Sequence, residues 1–361
     1  MSFKSEVNKL IDRFTANLTH YKSNSNVYNE QACRGEYVNP FFELLGWDIE
    51  NRRGVEPHLR EVIFEQNLGQ AGRSDYSMAL SGVPVYFTET KKPSVDISRL
   101  PDPAFQTRRY GWSSRLRISV LTNFEYLVIY DTTIPPKSGD DCNVAVLKRY
   151  HYLEYADKAD EIYELLSRDT VYSGNFDNVL NKYFGSTFKK GLNIPVDTYF
   201  LNQINEWRIK LGNFLYKTKG YSIDIINDVV QEFINQIVFL RICEDKNLPL
   251  YHTLKEITQD EGTLLVELEK LFKEADKKYN SGLFNSNYVI FDLNNDIIKE
   301  IVEQLYYPQS PYLFNLIEPN LLGQIYEMFL AQYLTVNSSG NIDLAEKKEN
   351  INRDIVTTPE Q

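Results

Sequence analysis

Apolar residues recur at helical spacing from the first turn of the chain. Val7, Leu10, Ile11, Phe14 and Leu18 share one face, which predicts an amphipathic helix. A second helix is expected from Asn29 to Leu45, stopped by Gly46. The period then changes from helical to alternating. Residues 61–65, 76–80 and 83–90 read as short strands, with turns at Gly69, Gly72 and Ser81-Gly82. Pro101 and Pro103 break the chain ahead of a short helix from Ala104 to Trp112, and strands follow at 117–122 and 126–130.

Beyond about residue 150 the pattern is helical. Segments 199–216, 223–244, 254–277, 296–306 and 321–333 carry apolar residues three and four apart, and Pro195, Pro249, Pro308 and Pro311 punctuate the connections. From Val336 the chain turns polar and is expected to loop out of the helical bundle. The fold class is therefore α/β, a mixed sheet flanked by helices, followed by a mainly α-helical domain. The expected divisions are 1–150, a connector 151–195, a helical domain 196–335 and a polar tail 336–361.

Composition agrees with a folded, soluble chain: 361 residues, 42% hydrophobic and 25% charged, with 25 Tyr and 20 Phe to fill cores. No apolar run approaches the roughly 20 residues that span a bilayer, and the first residues lack the apolar stretch of a signal peptide. Cys33, Cys142 and Cys243 are isolated, which fits a cytoplasmic protein without a disulfide framework or zinc site. The four histidines likewise lack ligand spacing. The net charge of −11 is unevenly placed. Residues 1–150 hold 19 basic and 18 acidic side chains, leaving 20 basic against 32 acidic in the remainder, so any contact with nucleic acid belongs mainly to the first part.

The chemistry-bearing stretch is Arg73-Ser-Asp75-Tyr76, followed by Phe87-Thr-Glu89-Thr-Lys91, with thirteen residues between Asp75 and Glu89. Strand side chains alternate, so Glu89 and Lys91 share a face while Thr90 points the other way, where it is expected only to alter packing. Asp75 on the neighbouring strand would bring a second carboxylate to the same sheet edge. Two carboxylates can hold a hydrated Mg²⁺, which polarises a phosphodiester and acidifies an attacking water, and a lysine can orient that water or offset developing charge.

This D-x(13)-E-T-K arrangement resembles the PD-(D/E)XK nucleases. More closely, residues 1–150 resemble the amino-terminal nuclease domain of Type I and Type IIG restriction enzymes. The likeness is carried by PFFELLGWD (40–48), Arg60-Glu61-Val62, RSDYSMAL, FTETKKPSVDI, AFQTRRYGWS and LTNFEYLVIYD (121–131). Ser74 stands where that pattern often has Pro, and Thr90 where Ala is commoner. The resemblance implies Asp75 and Glu89 as metal ligands, joined by an acid on the first core helix, for which Glu30 fits better than Glu36. Lys91 would support the nucleophile, with Gln106 and Tyr110 assisting as a Q-x-x-x-Y motif on one helix face. Mg²⁺ is the implied cofactor, with Mn²⁺ able to substitute, and double-stranded DNA the substrate. Arg108, Arg109, Arg115 and Arg117 are candidate phosphate contacts.

Residues 199–335 resemble the helical spacer of single-chain restriction–modification enzymes, through FLRICED (239–245) and LGQIYEMF (322–329). NRDIVTTP (352–359) resembles the opening motif of an N6-adenine methyltransferase, but neither the glycine-rich cofactor loop nor the Asn-Pro-Pro-Tyr loop is present. The chain alone is not expected to methylate, and S-adenosylmethionine would enter only with a methyltransferase domain or partner. The expected function is a Mg²⁺-dependent DNA endonuclease of a restriction–modification or phage-defence system, needing two active sites, as in a dimer, or two successive cuts to sever both strands. The alternative is a catalytically silent docking subunit for a separate methyltransferase and specificity component.

Overall fold

The computed structural model of the chain describes residues 3–23, 28–67, 73–188, 194–246, 253–259, 262–279, 282–284, 292–317 and 329–346, with isolated residues between some of these stretches. The turns expected at Gly69 and Gly72, the NRDIVTTP motif and much of 321–333 lie outside the described residues. Among the described residues no helix is long and apolar enough to cross a membrane. The chain forms two compact units. One comprises Met1–Tyr199, Arg241–Pro249 and Glu303–Glu318; the other comprises Phe200–Leu240, Leu250–Val302 and Pro319–Gln361.

The first unit is a mixed α/β structure around a six-stranded sheet. Its strands, β1 (Val62–Asn67), β2 (Arg73–Leu80), β3 (Val83–Thr90), β4 (Ile118–Thr122), β5 (Tyr126–Asp131) and β6 (Val146–His151), lie side by side in chain order. Neighbours are antiparallel except β3 and β4, which are parallel and joined through helix α4 (Pro101–Ser113). Ser81 and Gly82, both at positive φ, make the tight β2–β3 turn; a Cβ on Gly82 would lie 1.9 Å from the His58 carbonyl oxygen.

Strand alternation divides the core. Tyr76, Met78, Tyr86, Ile118, Val120 and Ile129 face a cluster completed by Val7, Leu10, Ile11 and Phe14 of helix α1 (Phe3–Lys22) and by Tyr37, Phe41 and Phe42. The opposite face carries Leu121, Val128 and Tyr130 with Ala104 of α4, and Phe87 with Tyr110 and Leu313. Trp47 and Tyr86 both donate to the Leu166 carbonyl, fastening helix α5 (Ala159–Leu166) to the sheet.

The helix expected over 29–45 is present with a refinement. Helix α2 (Glu30–Cys33) passes through a π-helical turn (Arg34–Val38) into α3 (Asn39–Leu44), and Gly46 follows at φ 90°. Pro40 has no N–H to give to the Glu36 carbonyl, and that carbonyl accepts from Arg13 instead. Two prolines also behave differently from expectation. Pro101 and Pro103 sit inside the first turn of α4, where a missing N–H costs nothing.

Strand β6 and the short helices α5, α6 (Arg168–Tyr172) and α7 (Phe176–Phe188) add to the first unit beyond what periodicity predicted. In the chain's remainder, α8 (Val196–Phe214) and α9 (Ile223–Asp245) match two expected helices. The segment 254–277 is interrupted, giving α10 (Leu254–Ile257), started by a Thr253–Glu256 capping box, and α11 (Leu264–Tyr279); α12 (Asn295–Glu303) follows. The stretch from Val336 does not simply loop out: Gln332–Val336 (β7) and Ile342–Glu346 (β8) pair as a hairpin.

Candidate active site

Asp75 on β2 stands across from Glu89 on β3, one step beyond the Tyr76–Thr88 pair. Both project to the sheet face covered by α4. Here β3 hydrogen-bonds to β4 on its other side, with Lys91 N–H donating to the Thr122 carbonyl, so the Thr90 N–H turns back toward β2. Asp75 satisfies it: Oδ2 accepts from Thr90 N–H at 2.7 Å and from the Thr90 hydroxyl at 2.5 Å. Thr90 is thus part of the site's scaffold, which corrects the expectation that it matters only for packing on the far face. The hydroxyl reaches Asp75 because pairing with β2 has ended there and the strand edge is open.

The other Asp75 oxygen, Oδ1, accepts from Arg34 at 3.1 Å. Lys91 Nζ lies 2.5 Å from Glu89 Oε1, while Glu89 Oε2 is buried without a hydrogen-bond partner. Burial first, and Asp75 second, push the Glu89 carboxyl up to about 8, against the opposing pull of Lys91. Burial alone would lower Lys91, but Glu89, Glu30 and Asp75 together hold it above its usual value. Glu30 is half-buried; burial and the Asp75 charge raise it, while Lys91, Arg34 and Lys92 oppose the rise.

Glu30 is therefore an electrostatic neighbour of the pair. The three acids expected as one ligand set are not drawn together: among the described residues no group of three His, Cys, Asp or Glu is placed to enclose a metal. Arg34 holds Asp75, and α2 keeps Glu30 at its own distance. Glu36 is exposed and takes a hydrogen bond from Tyr28. A hydrated Mg²⁺ needs only one or two carboxylates. An orphaned carboxylate oxygen beside a second carboxylate is a donor set that suits such an ion.

Gln106 donates to the Tyr110 hydroxyl at 2.7 Å, and Tyr110, buried by α4 against Phe87, is raised by burial and then by the Glu89 charge. The arginines expected as phosphate contacts need correction. Arg108 is fully buried, paired with Asp140 at 2.6 Å. Arg109 is 4% exposed and donates to the Tyr312 carbonyl, and burial lowers it to about 10. Helix α4 is covered on both sides, so these charges turn inward and cannot meet DNA. Arg115 is exposed and bonded to Asp197 at 3.3 Å; Arg117 pairs with Asp177.

Sequence reasoning missed Arg34 and Thr90. Arg34 had a signal, since it lies four residues after Glu30 on a helix, and such positions share a face. Thr90 had none, because alternation alone sends it away.

The candidate site is a pair of carboxylates and a lysine where β2 begins and β3 ends, inside a mixed sheet. No family model matches the chain. The chain is 42% identical over 367 residues to the Type II restriction enzyme and methyltransferase RM.Eco57I of Escherichia coli, an alignment covering 99% of this chain and 36% of that protein. It is thus a homologue, along its whole length, of part of a restriction enzyme and methyltransferase, and spans about a third of that relative. A solved structure, the type IIG restriction endonuclease BpuSI, matches at 15% identity over 74% of this chain and 28% of that one; its TM-score of 0.20 carries no structural argument.

Proposed function

We propose that this chain is the nuclease portion of a restriction–modification enzyme and hydrolyses phosphodiesters in double-stranded DNA with Mg²⁺. The observation that carries this reading is the buried, partnerless Glu89 Oε2, on a carboxyl close enough to Asp75 to feel its charge, with Lys91 fixed on the other Glu89 oxygen. Asp75 and Glu89 would hold the ion; bound there, it would polarise the scissile phosphate and lower the pKa of a water. Glu30 would add negative field at the edge of the pair, through ordered water.

Thr90 fixes the Asp75 carboxylate by two hydrogen bonds, so the ligand is oriented before the substrate arrives. Lys91, kept protonated by three carboxylates, would hold the attacking water or meet charge on the phosphate oxygens. Tyr110 and Gln106, hydrogen-bonded to each other, would close the α4 side against bulk water. The 42% identical relative, whose name states both restriction and methylation, supports a restriction–modification setting in which a methyltransferase accompanies this unit.

The test is incubation of unmethylated plasmid with Mg²⁺ or Mn²⁺, comparing wild type with Asp75→Ala. Nicking or linearisation by wild type alone supports the assignment. Equal cleavage by a folded Asp75→Ala protein removes it.

A further inference from the structure

We propose that Arg34 is a stand-in cation for the metal, neutralising Asp75 in the metal-free protein and giving way when a divalent ion binds. This rests on the nuclease reading. Of the four oxygens of the carboxylate pair, two are committed to fixed donors: Asp75 Oδ2 to Thr90 and Glu89 Oε1 to Lys91. The other two are Glu89 Oε2, which has no partner, and Asp75 Oδ1, which Arg34 holds at 3.1 Å. An ion held by the pair would find those two oxygens the least committed, and the guanidinium sits on one of them.

A divalent ion and a guanidinium cannot share that carboxylate oxygen without strong repulsion. Removing the guanidinium charge therefore removes a competitor. The arginine stands on the π-helical turn, and its guanidinium also lies 5.4 Å from the centre of the Tyr76 ring. In this role Arg34 tunes metal occupancy and acts through Asp75; it is a positioning residue.

The experiment is Mn²⁺ titration of the full chain without DNA, followed by electron paramagnetic resonance, for wild type, Arg34→Gln and Arg34→Lys. Arg34→Gln is expected to bind Mn²⁺ about threefold to tenfold more tightly, the scale of losing one charge-assisted competitor, and Arg34→Lys to stay near wild type. The rise in melting temperature on adding Mn²⁺ should likewise be larger for Arg34→Gln, which also verifies that the variant is folded. Affinity for Arg34→Gln equal to or weaker than wild type overturns the proposal while leaving the metal site standing. Absence of Mn²⁺ binding by wild type and both folded variants defeats the metal reading itself, and the role of Arg34 with it.

Discussion

Replacing Glu89 by glutamine should strengthen the metal-free fold at neutral to alkaline pH while destroying metal binding. Burial and Asp75 carry the Glu89 carboxyl from its ordinary 4.5 up to about 8. A carboxyl so raised binds its proton more tightly in the folded chain, so wild-type stability is lost as pH climbs from about 4.5 to about 8 and is flat above that. At 1.36 kcal/mol per pH unit the ceiling is about 3 kcal/mol at pH 7 and about 5 kcal/mol once the pH passes 8. Glutamine escapes that penalty, because its oxygen still accepts from Lys91 and it carries no charge. Its amide does put a donor where Oε2 had no partner, which costs about 1–3 kcal/mol at every pH. The variant should therefore be the weaker protein at pH 5 and equal or stronger at pH 8, a swing of about 3 kcal/mol or more. Urea denaturation in EDTA at pH 5, 6, 7 and 8 reads it directly, and adding Mg²⁺ should stabilise only the wild type. Parallel pH profiles for the two proteins would refute the idea that burial holds the Glu89 carboxyl far above its ordinary range.

Three further outcomes follow from contacts already described. Gly111→Ala would place a Cβ 2.3 Å from Ser119 Oγ and 2.6 Å from Thr132 Cγ2, where α4 meets the sheet; thermal melts should show a loss of about 1–3 kcal/mol. Arg108→Ala should cost about 2–5 kcal/mol by emptying the space of a fully buried side chain, while Asp140, partly exposed, keeps its bond from Lys137 N–H; DNA-binding titrations of the remaining folded protein should show little change. Equal stability with weakened DNA binding would restore the surface role that burial excludes. Thr90→Val should lower the cleavage rate about tenfold with a smaller loss of stability, because Asp75 keeps its bond to the Thr90 N–H but loses the hydroxyl; unchanged single-turnover rates would show the hydroxyl to be incidental.

Much of this arrangement was legible from side-chain alternation. Glu89 and Lys91 lie two apart on a strand, but the Ser81-Gly82 turn alone would set Asp75 opposite Thr88; a β-bulge at Met78–Ala79 shifts the register by one residue and brings Glu89 across from Asp75. What escaped depends on tertiary context. Strand β6, VLKRYH, is half-exposed and charged, so nothing in its pattern marks a strand; pairing with β5 makes it one. The polar hairpin of β7 and β8 was hidden in the same way. Arg108 and Arg109 read as a solvated face because a helix buried on two sides carries no amphipathic signature, and the partners that justify their burial, Asp140 and the Tyr312 carbonyl, are distant in sequence. The Arg34–Asp75 contact spans 41 residues, and only the meeting of the π-helical turn with β2 creates it.

The most direct test of the account is conversion of supercoiled unmethylated plasmid by the purified chain with Mg²⁺, alongside the same reaction in EDTA and with Lys91→Ala. The account predicts nicked or linear DNA from the wild type with Mg²⁺ and from neither control. Cleavage by Lys91→Ala at the wild-type rate, or no cleavage by the wild type in the presence of Mg²⁺ or Mn²⁺, would contradict it.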